Sequence, residues 1–194
     1  DALLEAHRFA AGDDPAKSRG TVGIHSQFIR PDQLEKFAAW KITPSFFTLH
    51  CFYFGDTHVT NRGEAEASFI SPMKSARALG LRPANHTDFN VSPLDQIFTI
   101  HTAVNRVARS GRTLGEAERV GPLEALDAIT IDGARLYGEQ DRKGSIEVGK
   151  LADFAVLSAN PLTVPAATIE SIRVQETIKE GKTVWRRAAG DDRP

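Results

Sequence analysis

Two residues with metal-binding or acid–base side chains end segments that are predicted to be strands. His25 ends residues 21–25, and Asp88 ends residues 81–88. In parallel α/β folds, side chains at the carboxyl ends of strands face the ligand side. A histidine there could bind a metal or transfer a proton, and a carboxylate could bind a metal or act as general base. Their positions alone leave two alternatives open: a buried structural histidine, and an aspartate that caps the following segment.

Two further histidines are candidates for the same site. His86 precedes Asp88 by two residues, so both would face the same side of a strand, because strand side chains alternate. His50 lies in a phenylalanine-rich run, six residues before Asp56 and eight before His58. These spacings match no compact zinc motif. His50 is therefore either a polar group of an active site or a structural residue.

Composition and missing motifs exclude several classes of function. A formal net charge of −1 gives no basis for a nucleic-acid partner or a polybasic membrane contact. The single cysteine, Cys51, excludes an intrachain disulfide, is expected to be an inert buried thiol, and is compatible with a cytoplasmic location. The richest apolar run, residues 44–55, is shorter than the about 20 residues that a membrane-spanning helix needs. The sequence contains neither the Gly-x-Ser-x-Gly motif of serine hydrolases nor a phosphate-binding loop.

Strands and helices are predicted to alternate in the first part of the chain. Apolar runs predict strands at residues 21–25 and 42–49, and residues 81–88 are a third strand candidate, which Pro83 weakens. Apolar residues at three- and four-residue spacing predict helices at residues 2–11, 31–40, 71–80, 93–110 and 122–136. Residues 55–63 are predicted to be a loop. This strand–loop–helix order is typical of an eight-stranded β/α barrel and also of a doubly wound sheet.

The region after residue 137 has a different pattern. It is predicted to contain short strands at residues 145–148, 153–158, 171–179 and 183–186. Gly181, between the last two, supplies the positive φ that a hairpin turn needs. No histidine occurs after His101, so the chemistry is expected in the first half of the chain.

Several segments resemble the metal-dependent amidohydrolases. GSIEVGKLADFAVL at 144–157 and ETIKEGKTVW at 176–185 resemble the C-terminal part of that superfamily, where a small β domain lies beside a barrel. Three earlier segments resemble its YtcJ-like branch, in the amidohydrolase type 3 group: IHSQ at 24–27, His50 followed by FGD at 54–56, and HTDF at 86–89. The similar segments cover nearly the whole chain in the family's order.

The resemblance implies an α/β fold in two parts. Residues 1–137 would be the C-terminal part, about strands 6 to 8, of a TIM-type (β/α)8 barrel. Residues 138–190 would be part of a small β-sandwich domain, and residues 191–194 a disordered tail.

The resemblance also implies roles for individual residues. His25 is similar to the metal-site histidine at the end of barrel strand six. Asp88 is similar to the aspartate of strand eight, which contacts the metal and takes a proton from the hydrolytic water. His50 and His86 resemble substrate-side polar residues. The implied activity is hydrolysis of a non-peptide C–N bond in a small molecule. The implied cofactor is a divalent metal, with zinc as the first choice.

Some residues of the family's metal site have no counterpart here. The His-x-His pair of strand one, the bridging residue of strand four and the histidine of strand five are absent. One histidine and one aspartate are fewer than the about three protein ligands of a catalytic zinc site. We therefore expect this polypeptide alone to be inactive. A missing N-terminal part of the same protein, or a partner chain, would complete the site. A homo-oligomer is one way to supply such a partner chain. One alternative is a non-catalytic α/β module that keeps the scaffold for binding or assembly. Another is a different reaction of the superfamily, such as deamination or ester hydrolysis, which no residue of this sequence distinguishes.

Overall fold

Two three-stranded sheets organise the protein, which is described by a computed structural model over residues 1–188 and 190. The first sheet is parallel, with the order β1 (Val22–His25), β2 (Thr43–Phe46) and β3 (Ala84–Asn85). The register pairs His25 with Phe46, and Phe46 with Asn85. The three strands therefore end level with one another, and the residues that follow them meet at one end of the sheet.

Helices connect and cover this sheet. The α-helices are α1 (Ala2–Ala11), α2 (Pro31–Ala39), α3 (Leu49–Arg62), α4 (Glu64–Ser68), α5 (Met73–Ala78), α6 (Gln96–Asn105), α7 (Pro122–Ile129) and α8 (Ile131–Leu136). Short 3-10 helices lie at Pro15–Lys17, Glu116–Glu118 and Ala166–Ser171. Proline at the first position suits the start of α2, and the Asp95 carboxylate caps α6 by accepting from Phe98 N at 2.9 Å.

The hydrophobic core lies between the parallel sheet and the helices. Leu34 of α2, Phe46 of β2 and Ile100 of α6 are all almost fully buried there. The three- and four-residue spacing of apolar residues turns one face of each helix toward this core. Ile169 and Ile172 pack into the same cluster, so residues beyond 137 share a core with the β/α part.

The second sheet is antiparallel, with β5 (Val174–Lys179) between β4 (Phe154–Leu157) and β6 (Lys182–Arg186). A two-residue turn joins β5 to β6. Both turn residues have positive φ, 50° at Glu180 and 77° at Gly181, as a tight hairpin requires. The predicted hairpin is thus confirmed, and β6 is exposed along its whole length.

The structure corrects the prediction for residues 42–63. We expected a strand over 42–49 and a loop over 55–63. Instead β2 ends at Phe46, and helix α3 runs from Leu49 to Arg62. An apolar run this short does not distinguish a buried strand from a buried helix, because both are apolar on several sides. His50 consequently lies on a helix and not in a strand.

Four other predicted elements differ from the structure. The strand predicted at 81–88 is only β3, and the helix predicted at 93–110 is only α6. The helix predicted at 122–136 is divided into α7 and α8, and residues 145–148 form no strand. Pro83 has no backbone N–H to donate to a sheet. Arg106 ends α6 because it adopts a left-handed φ of 51°. Thr130 leaves the helical region between α7 and α8, at φ −121° and ψ −93°.

Two further expectations concern the chain end and membranes. The predicted disordered tail, 191–194, lies outside the described residues. Within 1–188 and 190, no helix has both the length and the apolar character that crossing a membrane demands.

Candidate metal centre

His25, His86 and Asp88 come together at the carboxyl end of the parallel sheet. His25 is the last residue of β1, His86 follows β3 directly, and Asp88 lies two residues further on. One potential ligand atom from each residue lies within 4.8 Å of the other two. His25 Nε2 is 3.4 Å from Asp88 Oδ2, and the His25 and His86 rings stack with centroids 5.1 Å apart. A cluster of this size can surround one metal ion.

The backbone turns sharply at both His25 and Asp88. Their φ angles are 61° and 50°, and Ser26 follows with 42°. Ser26 N donates to Ile24 O at 2.8 Å, and Val91 N donates to Asp88 O at 2.6 Å. Positive φ in such residues costs roughly 1–3 kcal/mol each, and outliers of this kind cluster at functional sites. The turns direct both side chains to the end of the sheet.

Asn85 joins β3 to the start of α3. Its Nδ2 donates to Thr48 Oγ1 at 2.8 Å, and its Oδ1 accepts from Thr48 N at 3.1 Å. The Thr48 and Thr102 hydroxyls lie 2.8 Å apart and extend this buried network to α6. Since His86 follows Asn85 and His50 lies two residues after Thr48, the network fixes these two histidines relative to each other.

His50 borders the cluster from α3. Its ring makes a T-shaped contact with the His25 ring at 5.5 Å between centroids, and another with Phe47 at 4.4 Å. Burial, followed by the charge of a protonated His25, lowers the pKa of His50 to about 3. The His50 imidazole is therefore neutral at pH 7.

The residues present fit a divalent metal. Burial, followed by the charge of His25, lowers the pKa of His86. Neutral imidazole is the form that binds a metal, and two histidines with one carboxylate make a donor set that zinc accepts. Among the described residues, His86 Nε2 and His50 Nδ1 are buried with no hydrogen-bond partner. Buried nitrogen atoms left in that state cost free energy unless a ligand or water satisfies them.

All four residues singled out from the sequence lie in this region. His25 and Asp88, expected at a metal, are neighbours. His86, expected on the substrate side, is also at ligand distance from both, whereas His50 lies outside that set of three. Asp56 points elsewhere, since its carboxylate accepts from Ser110 Oγ at 2.5 Å.

The sequence analysis missed Asn85 and Phe47. The Phe47 ring stacks on His86 at 5.5 Å between centroids. Asn85 precedes a candidate residue directly, but its partner Thr48 lies 37 positions away in sequence. No local pattern indicates a pairing over that separation.

Comparison with known families gives a match over most of the chain. The family model described as "Amidohydrolase family" matches residues 2–185. The YtcJ protein of Bacillus subtilis strain 168 is 26% identical over 181 residues, which are 90% of this chain and 34% of that protein. The N-substituted formamide deformylase of Arthrobacter pascens is 29% identical over 131 residues, 67% of this chain and 24% of the enzyme. The chain thus spans about a third or less of the length of these relatives.

Solved structures give a similar result. An uncharacterized metal-dependent hydrolase of Pyrococcus furiosus superposes with a TM-score of 0.66 at 26% identity, over 82% of this chain and 32% of that chain. An adenosine deaminase of Xanthomonas campestris with bound zinc superposes with a TM-score of 0.63 at 20% identity, over 90% of this chain and 39% of that chain. The second likeness is one of fold alone.

Proposed function

The chain belongs to the amidohydrolase family, and from that premise we propose that it forms part of a divalent-metal site that hydrolyses non-peptide C–N bonds in small molecules. The observation that carries the proposal is the convergence of His25, His86 and Asp88 within 4.8 Å. A relative whose name states the deformylation of N-substituted formamides supports a C–N bond as the bond that is broken.

We assign residues 1–137 to about strands 6 to 8 of a TIM-type barrel, and residues 138–190 to part of a small β-sandwich domain. Three parallel strands that are adjacent in sequence order, β1, β2 and β3, support the first assignment. The antiparallel β4, β5 and β6 support the second.

In this proposal His25 and Asp88 hold the metal, which we infer to be zinc. His50 and His86 face the substrate, although His86 is close enough to serve as a third ligand. When bound, the divalent metal would lower the pKa of a water molecule toward 7 and polarise the substrate carbonyl.

The chain's own residues move the protons. The Asp88 carboxylate accepts a proton from the attacking water as the water oxygen bonds to the carbonyl carbon. Asp88 then returns that proton to the amine nitrogen as the C–N bond breaks. The neutral imidazoles of His50 and His86 can each donate one N–H to the carbonyl oxygen, where negative charge develops.

The same proposal makes the chain incomplete by itself. Two assigned ligands are fewer than the about three that a catalytic zinc site uses. We infer that an N-terminal part of the protein, or a partner chain, supplies the rest. A monomer of these 194 residues with full hydrolytic activity would contradict this inference.

Zinc titration of the metal-free intact protein, in which the N-terminal part or the partner chain is present, tests the site by calorimetry. We expect about one ion per chain, bound at least about tenfold more weakly after His25→Ala or Asp88→Asn. His101→Ala, on α6, is the matched control and should leave zinc affinity unchanged. An equal loss in His86→Ala would make His86 a ligand, and an unchanged affinity would leave it on the substrate side. Absence of uptake up to millimolar zinc by the intact protein would favour the non-catalytic module.

A further inference from the structure

A row of aromatic rings extends from the metal centre along α3. His50, Phe54 and His58 are spaced by four residues, so they lie on one face of the helix. Ring centroids are 5.9 Å apart for His50 and Phe54, 6.2 Å for Phe54 and His58, and 6.4 Å for His50 and His58. His50 also contacts His25, so the row begins beside a metal-binding residue.

The far end of the row is anchored to the turn that carries His25. Gln27, two residues after His25, donates from Nε2 to His58 Nε2 at 2.5 Å. The Phe28 ring makes a T-shaped contact with His58 at 4.9 Å between centroids. The Arg62 guanidinium, one helical turn further along α3, lies over the Phe28 ring, 4.2 Å from its centre. The orientation of His58 is therefore set from two sides.

The outer part of the row, Phe54 and His58, is uncharged and accessible. Burial, followed by the charge of Arg62, lowers the pKa of His58, so its imidazole is neutral at pH 7. Phe54 is 39% exposed, although His50 and Cys51 on the same helix are buried. The half-exposed Phe54 ring, 6.2 Å from the His58 ring between centroids, offers a flat apolar surface to a ligand.

We propose that Phe54 and His58, supported from below by the buried His50 ring, form a recognition surface for a flat, uncharged ring of the substrate. This inference rests on the proposed function and deepens it, because it names aromatic amides as the substrate class. Aromatic rings gain free energy from edge-to-face and offset contacts beyond the burial of their area. A charged substituent placed on the same surface would lose hydration, and the nearby Arg62 is already paired with Glu66 at 3.3 Å.

Benzamide is a suitable probe, since it carries both a flat ring and an amide. Cyclohexanecarboxamide has the same amide on a ring that is not flat, and benzoate has the same flat ring with a charge. Each compound is titrated into the metal-free chain while the ring resonances of His50 and His58 are followed by NMR. We expect saturable shifts of both histidines with benzamide, and affinities at least about threefold weaker for the other two compounds.

Variants of Phe54 test the ring itself. Phe54→Leu keeps apolar volume without a ring, and Phe54→Ala removes both. Each should weaken benzamide binding by about threefold to tenfold. Phe9→Ala is the control, because Phe9 lies on α1, is 89% exposed and belongs to no part of the row. Circular dichroism shows whether each variant keeps the fold. If Phe54→Ala does not fold, Phe54→Leu alone tests the role of the ring.

Three results would overturn the inference: equal affinity for benzamide and cyclohexanecarboxamide, an unshifted His58, or unchanged benzamide affinity in the folded Phe54 variant. None of these measurements needs the metal. Their failure with zinc uptake intact would leave the proposed function standing, whereas zinc affinity unchanged in Asp88→Asn would contradict the proposed function itself.

Discussion

At the scale of single residues, His50 combines deep burial with a basic side chain. Burial, followed by His25, lowers its pKa from 6.5 to about 3, so the folded protein binds this proton less readily than the unfolded chain does. The contribution of neutral His50 to stability is therefore complete above pH 6.5 and is lost as the pH falls toward 3. One such group changes the free energy of unfolding by about 1.4 kcal/mol per pH unit in that window.

Urea unfolding with a chelator present measures this effect. We expect the chain to lose about 2 kcal/mol more stability than the His50→Gln variant when the pH is lowered to about two units below neutral. The variant lacks the titrating imidazole but keeps a polar side chain of similar reach. Equal pH dependence in the two proteins would show that folding does not change the pKa of His50.

The residues of the site were predictable to different degrees. His25 could be found because it ends a short apolar run, and the carboxyl ends of parallel strands meet. For His86 and Asp88 the expected reason was wrong: we expected both on one face of a strand over 81–88, but β3 ends at Asn85, and the turn after it, with φ 50° at Asp88, brings them beside His25. The position of His50 on α3 could not be predicted, because the aromatic run around it does not show whether the chain turns into a helix after Phe46.

At the scale of elements, β1 passes so close to α2 that a side chain at Gly23 has no room. A Cβ atom there would lie 2.6 Å from Phe37 Cε2 and 2.7 Å from Ser26 Oγ. Gly23→Ala must move the Phe37 ring or the turn that follows His25. We expect it to lower the free energy of unfolding by about 1–3 kcal/mol, measured by urea titration, and to weaken zinc binding as well.

Gly133 provides the matched control for this substitution. It lies inside α8, and a Cβ atom there would meet nothing closer than 3.9 Å, at Ala128 O. Gly133→Ala should stabilise the protein by about 0.5–1 kcal/mol, since alanine favours a helix interior more than glycine does. If Gly23→Ala proved as harmless as Gly133→Ala, Phe37 would not be rigidly held against β1.

Element order could be predicted further than element length. The alternation of strands and helices up to residue 136 and the hairpin at Gly181 depend on local pattern, and both are present. The two-residue length of β3 and the division at Thr130 depend on distant partners. Tertiary packing decides such boundaries, and a single sequence does not contain that information in local form.

At the scale of the whole molecule, Arg106 ties together segments that are far apart in sequence. Its fully buried guanidinium donates to four backbone carbonyls: from Nε to Leu114 O at 2.8 Å, from Nη1 to Ser71 O at 3.2 Å, and from Nη2 to Ile70 O at 2.8 Å and Ser68 O at 3.3 Å. These bonds join the end of α6 to Leu114, which follows it, and to residues 68–71, which precede α5. Such carbonyls would otherwise be buried without donors.

Arg106→Met should therefore destabilise the protein by about 3 kcal/mol or more in urea unfolding, because several buried acceptors lose their donor together. Arg106→Lys keeps the charge but not the planar arrangement of donors, and should recover only part of that loss. Arg109→Met is the control: that side chain packs over the Tyr53 ring at 4.9 Å, and its loss should cost less than about 1 kcal/mol. Similar losses for Arg106→Met and Arg109→Met would mean that water replaces the buried guanidinium.

The described residues also leave an apolar cleft between the second sheet and helices α6 to α8. Its volume is about 1320 Å³. Five large side chains that line it are at least 44% exposed to solvent: Leu94, Tyr137, Ile146, Leu162 and Trp185. Grouped exposed apolar side chains mark an interaction surface more often than scattered ones do.

A dye that becomes fluorescent on apolar surfaces, such as anilinonaphthalene sulfonate, measures this cleft directly. We expect fluorescence enhancement with the natively folded chain at neutral pH, reduced by Ile146→Ser and further by adding Trp185→Ser, since each removes apolar area from one cleft. Phe9→Ser should leave the signal unchanged, because Phe9 is more exposed than either residue but lies outside the cleft. Cooperative urea unfolding of every variant would show that the dye reports on the folded state and not on a loosened one. Enhancement that survives both substitutions would place the dye elsewhere, and its absence from the unsubstituted chain would mean that the cleft is closed in solution.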